Sequence, residues 1–245
     1  MPGGSRFRLD QLVLDRGLAP TRERARALIL AGQVLVSGRP VTKAGTAVDP
    51  DADITLLQAD HPYVGRGGLK LAHALDAFQI PIAGRDCLDI GASTGGFTDV
   101  MLQRGASRVV ALDVGHGQID WKLRTDPKVL VIEGFNARHL TPGDLPGPVD
   151  VVTIDVSFIS LRQILPVVPP LLKPGADIVA LVKPQFEAGR AEVRKGVIHD
   201  PAVHARVLEE VTVAAAAVGL RPMGSTPSPI RGQKGNIEFL LHLHL

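Results

Sequence analysis

Asp86-Cys87-Leu88-Asp89-Ile90-Gly91-Ala92-Ser93-Thr94-Gly95-Gly96-Phe97 is the stretch whose reading decides the architecture. Asp86–Ile90 has the length and apolar content of a strand, Gly91–Gly96 is a glycine-rich turn, and a helix opens near Phe97. Glycines let a backbone pass close to a ligand, and a helix N-terminus offers it unpaired N–H groups. Outward from this unit, strand-like apolar runs fall at 86–90, 108–113, 129–132, 149–155, 176–183, 220–226 and 236–244, mostly separated by helical segments. Strands that alternate with helices pair in parallel, with helices laid on both sheet faces. The expected fold is therefore α/β, built on a seven-stranded, mostly parallel sheet.

The first sixty residues differ in kind. Leu9, Leu12 and Val13 recur at helical spacing and Gly17 ends that helix. Thr21 is placed as the N-cap of a second helix, with Glu23 near its positive end and an apolar face of Ala25, Leu28 and Ile29. Gly32 stops it. Gln33–Val41 alternates like a strand and turns at Ser37-Gly38, and a short strand follows at Ile54–Leu57. Residues 1–47 carry eight Arg and Lys against three acids, while the whole chain nets only +2, so the excess is local and suits a phosphate backbone. Asp60–Gly65 is polar, contains Pro62, and marks a boundary. The division expected is a small α+β module at 1–59, a linker at 60–65 and the large α/β domain at 66–245.

Composition narrows the class. A 45% hydrophobic fraction supports a real core, and one cysteine, Cys87, excludes a disulfide framework and a multi-thiolate zinc site. Met1–Ser5 lack the apolar core of a signal peptide, and the apolar run around Val211–Leu220 is too short to span a bilayer. A soluble, cytoplasmic chain without a metal is expected.

Alone, the Gly91–Gly96 turn would suit a dinucleotide pyrophosphate or S-adenosylmethionine. Its spacing is not G-x-G-x-x-G, which weakens the dinucleotide reading. Asp113 ends the second strand, where Rossmann-like folds place a carboxylate for ribose hydroxyls. The seven-strand pattern resembles the class I methyltransferase variant of that fold. In that family an acid directly before the glycine turn, here Asp89, lies close to the methionine moiety. The resemblance implies S-adenosylmethionine as cofactor, with Asp89, Gly91, Ala92, Ser93, Thr94, Gly95, Gly96 and Asp113 around it. Asn136, after the third strand, stands where related enzymes contact adenine.

Further residues sharpen the resemblance. Lys70 in "RGGLKL", Asp155 in "VVTID", Lys183 in "IVALVKPQ" and Glu238 in "GNIE" match, in order, the Lys-Asp-Lys-Glu tetrad of FtsJ-like ribose methyltransferases. Ribose methylation needs a hydroxyl aligned with the methyl–sulfur bond and a group to take its proton, a role lysine fills only when uncharged. By that likeness Lys183 orients or deprotonates the hydroxyl, Lys70 and Glu238 tune it and position the nucleotide, and Asp155 lies beside the sulfur and pairs with lysine. "RLDQLVLDRGLAPTRERARALILAGQVLVSGRPV" resembles an S4 RNA-binding domain, which makes Arg22, Arg24, Arg26 and Arg39 its RNA contacts. The whole chain resembles the TlyA, or haemolysin A, family, carried by "GRGGLKL", "LDIGASTGGFTD", "VKPQFEAGR" and "SPIRGQKGNIE". That family implies methylation of cytidine ribose in ribosomal RNA, with ribosomal subunits as partners.

Residues 183–196 read as a polar loop after the fifth strand and a substrate lid, with Phe186 stacking on a base and Gln185, Arg190, Arg194 and Lys195 embracing RNA. Arg66, ahead of Lys70, joins the RNA-facing set. Cys87 reads as core, and Trp121 as helix packing rather than a base platform. His242 and His244 share a strand face without ligand-spaced partners in sequence. Three alternatives stand beside this reading: a membrane-active haemolysin, a NAD-binding oxidoreductase, and an inactive RNA-binding assembly factor.

Overall fold

The computed structural model describes residues 6–57, 61–189 and 191–245, and the chain forms two units, one reaching to Pro62 and one running from Tyr63 to Leu245. In the first, β1 (Phe7–Arg8) leads into α1 (Leu9–Asp15), followed by α2 (Arg22–Leu30), β2 (Val34–Val36), β3 (Arg39–Pro40), β4 (Ala47–Val48) and β5 (Ile54–Leu56). Leu9, Val13, Ala25 and Ile29 are fully buried between the helices and β2, as the helical spacing requires. Thr21 Oγ1 caps α2 by accepting from the Arg24 N–H at 3.1 Å. Ser37 and Gly38, both at positive φ (49° and 74°), turn β2 back onto β3. Asp10 is wholly buried and accepts from Arg8 and, at 3.1 Å, from Arg22. The Arg8 guanidinium first, with Arg22 adding, outweighs the opposing effect of burial and holds its carboxyl down at about 2.

The second unit is a three-layer α/β fold. Its elements are α3 (Gly67–Phe78), β6 (Asp86–Ile90), α4 (Gly96–Gln103), β7 (Arg108–Asp113), α5 (Trp121–Arg124), β8 (Val129–Glu133), β9 (Val149–Ile154), β10 (Leu172–Val182), α6 (Pro184–Glu187), α7 (Pro201–Ala217), β11 (Arg221–Pro227) and β12 (Phe239–His244). The seven strands lie in the order β11-β12-β10-β9-β6-β7-β8. β10, β9, β6, β7 and β8 run parallel, while β12 is antiparallel to both of its neighbours. Strand side chains alternate between faces. Cys87, Val109, Val151 and Val179 pack under α3 and α4, and Leu88, Val110, Val152 and Ile178 pack on the face carrying α7. Both faces are covered, so the strands read as unbroken apolar runs.

Several element bounds differ from the sequence reading. β10 begins at Leu172, four residues early, and reaches its regular pairing with β9 through a register shift before Asp177. The last strand begins at Phe239, so Glu238 sits just ahead of it rather than inside. The β9-to-β10 crossover is three short 3₁₀ turns between Leu161 and Leu171, not an α-helix. Pro166, Pro169 and Pro170 deny the backbone donors a longer helix would need.

Candidate active site

The carboxyl ends of the parallel strands converge on a polar cavity of about 290 Å³. β9 delivers Asp155 and the neighbouring β10 delivers Lys183, whose Nζ forms an ion pair with Asp155 Oδ1 at 2.6 Å. The same Nζ donates to Ser157 Oγ at 2.9 Å. Lys70, on α3, donates to Glu238 Oε2 at 2.6 Å. That pair joins residues 168 positions apart, brought together because α3 packs against β11 and β12. All four residues line the one cavity, together with Arg66, Phe186 and the glycine turn. Lys70, Lys183 and Glu238 are buried, so their charges meet there in a medium that strengthens each pair.

A second cavity, about 360 Å³, opens on the β6–β7 side. Leu112, Phe135, Ile159 and Ile164 make its walls apolar, and Asp113 and Asn136 supply polar groups. Gly91, Ser93, Ser157 and Gln233 line both cavities. Asp113 braces the turn it faces: its Oδ2 accepts from the Ser93 N–H at 2.8 Å and its Oδ1 from the Gly115 N–H at 2.7 Å. Asn136 Oδ1 accepts from the Arg138 N–H at 3.1 Å. At Gly91 (φ +87°) a Cβ would lie 2.5 Å from the Asp155 carbonyl oxygen, so any side chain there would collide with the backbone. An apolar slot beside a carboxylate, joined to a charged chamber through a side-chain-free strand end, fits a nucleoside carrying an amino-acid tail. Asp113 and Asn136 would hold the nucleoside and the 91–96 turn the tail.

Asp89 takes a different place from the cavity-lining residues. It is fully buried, lines neither cavity, and accepts from Thr98 Oγ1 at 2.7 Å and Thr153 Oγ1 at 2.9 Å. Burial, opposed by those hydroxyls and reinforced by the Asp155 charge, pushes its carboxyl up to about 7. It forms the floor beneath the glycine turn.

The aromatic residues correct one expectation. Trp121 is 74% exposed on the four-residue α5, because Ile119 and Leu123, not the indole, fill the space against Gly95. Phe158, passed over in sequence, is 84% exposed at φ +64° with its ring 5.0 Å from that of Phe186. Lys183 Nζ lies 6.0 Å from the Phe186 centroid. Ser157 and Gly232 were also passed over; a Cβ at Gly232 would collide with Glu238 Oε1. The only sequence signal for them was proximity to a tetrad member.

Of the expected RNA contacts, Arg66 lines the catalytic cavity, while Arg190 lies outside the described residues. Arg26 and Arg39 are exposed, Arg22 is tied to Asp10, and Arg24 is partly buried. Gln185 lines the cavity, and Arg194 and Lys195 lie in a tight turn closed by bonds between Arg194 and Val197. His242 and His244 both bond to Asp177, which sits on the adjacent β10 and is invisible to sequence spacing. Among the described residues no group of three or more His, Cys, Asp or Glu side chains is placed to hold a metal ion, and no helix is long and apolar enough to cross a membrane.

Comparison with known proteins gives the family. The FtsJ-like methyltransferase family matches residues 63–245, and the S4 domain matches 7–54. The 16S/23S rRNA (cytidine-2′-O)-methyltransferase TlyA of Mycobacterium tuberculosis is 48% identical across 97% of this chain and 90% of its own length. Hemolysin A of Brachyspira hyodysenteriae is 42% identical across 96% and 99%. A solved structure from Streptococcus thermophilus that carries a hemolysin name aligns with a TM-score of 0.78 at 45% identity, over 98% of this chain and 88% of that one. An S-adenosylmethionine-dependent methyltransferase from Mesorhizobium loti shares the fold, with a TM-score of 0.54 at 16% identity over 74% and 100%. Fold and site together define an S-adenosylmethionine-dependent methyltransferase of the FtsJ-like class, joined to an S4 domain. The chain belongs to the TlyA family.

Proposed function

We propose that this chain methylates the ribose 2′-hydroxyl of a nucleotide in ribosomal RNA, with cytidine as the nucleotide, as in the named relatives. The observation that carries the reading is the meeting of Lys70, Asp155, Lys183 and Glu238 in one cavity that shares Gly91, Ser93, Ser157 and Gln233 with a second, lined by Asp113 and Asn136. Bound S-adenosylmethionine supplies an electrophilic methyl group. The protein's share is alignment and proton management. Lys183 orients or deprotonates the 2′-hydroxyl as the oxygen becomes nucleophilic. Asp155 steadies Lys183, and the Lys70–Glu238 pair fixes the edge against which the nucleotide rests.

RNA binding accompanies this chemistry. The S4 domain would grip structured RNA through Arg22, Arg24, Arg26 and Arg39, and Arg66, Phe186 and Arg190 would hold the target strand at the catalytic domain. Residues 1–59 serve as the RNA-binding module, 60–65 as the linker and 66–245 as the enzyme. Such work belongs in the cytoplasm, on ribosomal subunits or their assembly intermediates. Labelled S-adenosylmethionine, unmodified ribosomal subunits and free rRNA provide the test, followed by mapping of 2′-O-methyl positions. Transfer to a cytidine ribose is expected; no transfer to any of these RNAs overturns the reading.

A further inference from the structure

We propose that Ser157 is a positioning residue for methyl transfer, acting through Lys183 by fixing the direction of an amine that also pairs with Asp155, so that it stays open to the acceptor hydroxyl. The proposal rests on the ribose-methylation reading above. An amine nitrogen has three positions beyond its carbon. At Lys183, Ser157 Oγ takes one at 2.9 Å, the only hydrogen bond that Nζ makes among the described residues. Asp155 Oδ1 holds a second as an ion pair at 2.6 Å. With an ion pair to Asp155 and a hydrogen bond to Ser157, the nitrogen keeps one position for the acceptor, and the Ser157 contact fixes where that position points.

The loop bearing Ser157 is built to keep that hydroxyl in place. Phe158 adopts φ +64°, a conformation that residues with side chains keep only when their surroundings impose it. Beyond it, Glu187, at the end of the segment that begins with Lys183, accepts from Ser160 Oγ at 2.5 Å and from the Leu161 N–H at 2.6 Å. Glu187 is itself buried, so both bonds are shielded from water. The loops that follow β9 and β10 are thus buckled together just beyond the Ser157–Lys183 contact. Ser157 also lines both cavities, at the seam where methyl donor and acceptor would meet.

The test compares Ser157→Ala, Ser157→Thr and Ser157→Cys with the unaltered chain. With ribosomal subunits and labelled S-adenosylmethionine, kcat is expected to fall about 10- to 100-fold in the alanine variant, the weight of a hydrogen bond to a charged group. KM for RNA and Kd for the cofactor stay within about threefold, since alanine removes only the hydroxyl. Threonine keeps that hydroxyl and restores most of kcat, and the weakly accepting thiol of cysteine gives an intermediate value. Competitive acetylation, with Lys70 as internal reference, reads the Lys183 amine without RNA. Its relative reactivity is expected to drop several-fold in Ser157→Ala and to hold in Ser157→Thr. An unchanged acetylation ratio, a loss confined to KM, or a loss that threonine does not recover would each overturn the proposal. If the unaltered chain methylates no ribosomal RNA, the ribose reading fails, and the acetylation ratio still decides the role of Ser157.

Discussion

Both edges of the parallel sheet carry buried or half-buried charges, yet they differ in how those charges are used. At the amino ends of the strands, Asp177 accepts from Arg85 at 2.7 Å, His242 at 3.0 Å and His244 at 3.2 Å. Asp150 beside it accepts from Lys173 and from the Asp86 N–H, and Asp86 in turn pairs with Arg108 and Lys173. Burial pushes the Asp177 carboxyl up, but its three partners together outweigh burial and hold it below the usual carboxylate range. At the carboxyl ends, Lys70, Asp155, Lys183 and Glu238 each have one or two partners and line a cavity. Charges whose bonding capacity is spent on one another hold a fold together. Charges left with spare capacity in a cavity await a ligand.

Four variants break or sharpen that contrast. Lys183→Ala should lower methyl transfer by about 10²- to 10⁴-fold, the range for a positioned general base, while the thermal midpoint barely moves. Comparable turnover in a folded variant would remove Lys183 from the mechanism. Asp177→Ala should show the converse. It strips three donors of their acceptor and costs about 2–4 kcal/mol in urea unfolding, with kcat per folded molecule unchanged. A stable Asp177→Ala protein with impaired kcat would put function at the wrong edge. Replacing Lys70 and Glu238 together with Met and Leu should abolish transfer yet shift stability by no more than about 1–2 kcal/mol, since a buried pair can be exchanged for apolar packing.

The smallest effect concerns Asp89. Its folded carboxyl titrates near 7 against an ordinary value of 3.8, so between these pH values the folded chain binds the proton more tightly than the unfolded one. Stability from this group is greatest below that window and falls as pH rises through it. Asp89→Asn should therefore flatten the decline in melting temperature between about pH 4 and pH 7. A decline as steep as in the unaltered chain would remove Asp89 as its source. Asp10 has the opposite sign: its carboxyl is held near 2, so its contribution is full above the ordinary carboxylate value and fades as pH falls through that point.

The alternation of apolar runs and helices, the glycine turn at 91–96 and the cap at Thr21 are local patterns, and each reappears in the structure as an element of the expected type. Asp155 and Lys183 could be foreseen as neighbours because both end strands of one parallel sheet, whose carboxyl edge is where ligands bind. Where proline interrupts a helical stretch, as at 166–170, or where a strand gains residues by pairing, as in β10, local pattern set the wrong boundary. Trp121 was misread for a related reason. Its neighbours Ile119 and Leu123 satisfied the core, which a single-helix reading cannot weigh.

By itself the sequence determined the order of the strands and helices, the side-chain-free turn, the basic character of the first module and the presence of four ionic residues at strand ends and flanks. Local backbone preference and apolar periodicity act over a few residues and are therefore legible in a chain read alone. Only the tertiary structure decided which charges meet. Placing β12 between β10 and β11, with α3 against β11 and β12, brings Lys70 to Glu238, and the buckle through Glu187 leaves the Lys183 amine on Ser157. Those contacts depend on strand order and loop closure across tens to hundreds of residues, for which neighbouring residue types carry no signal.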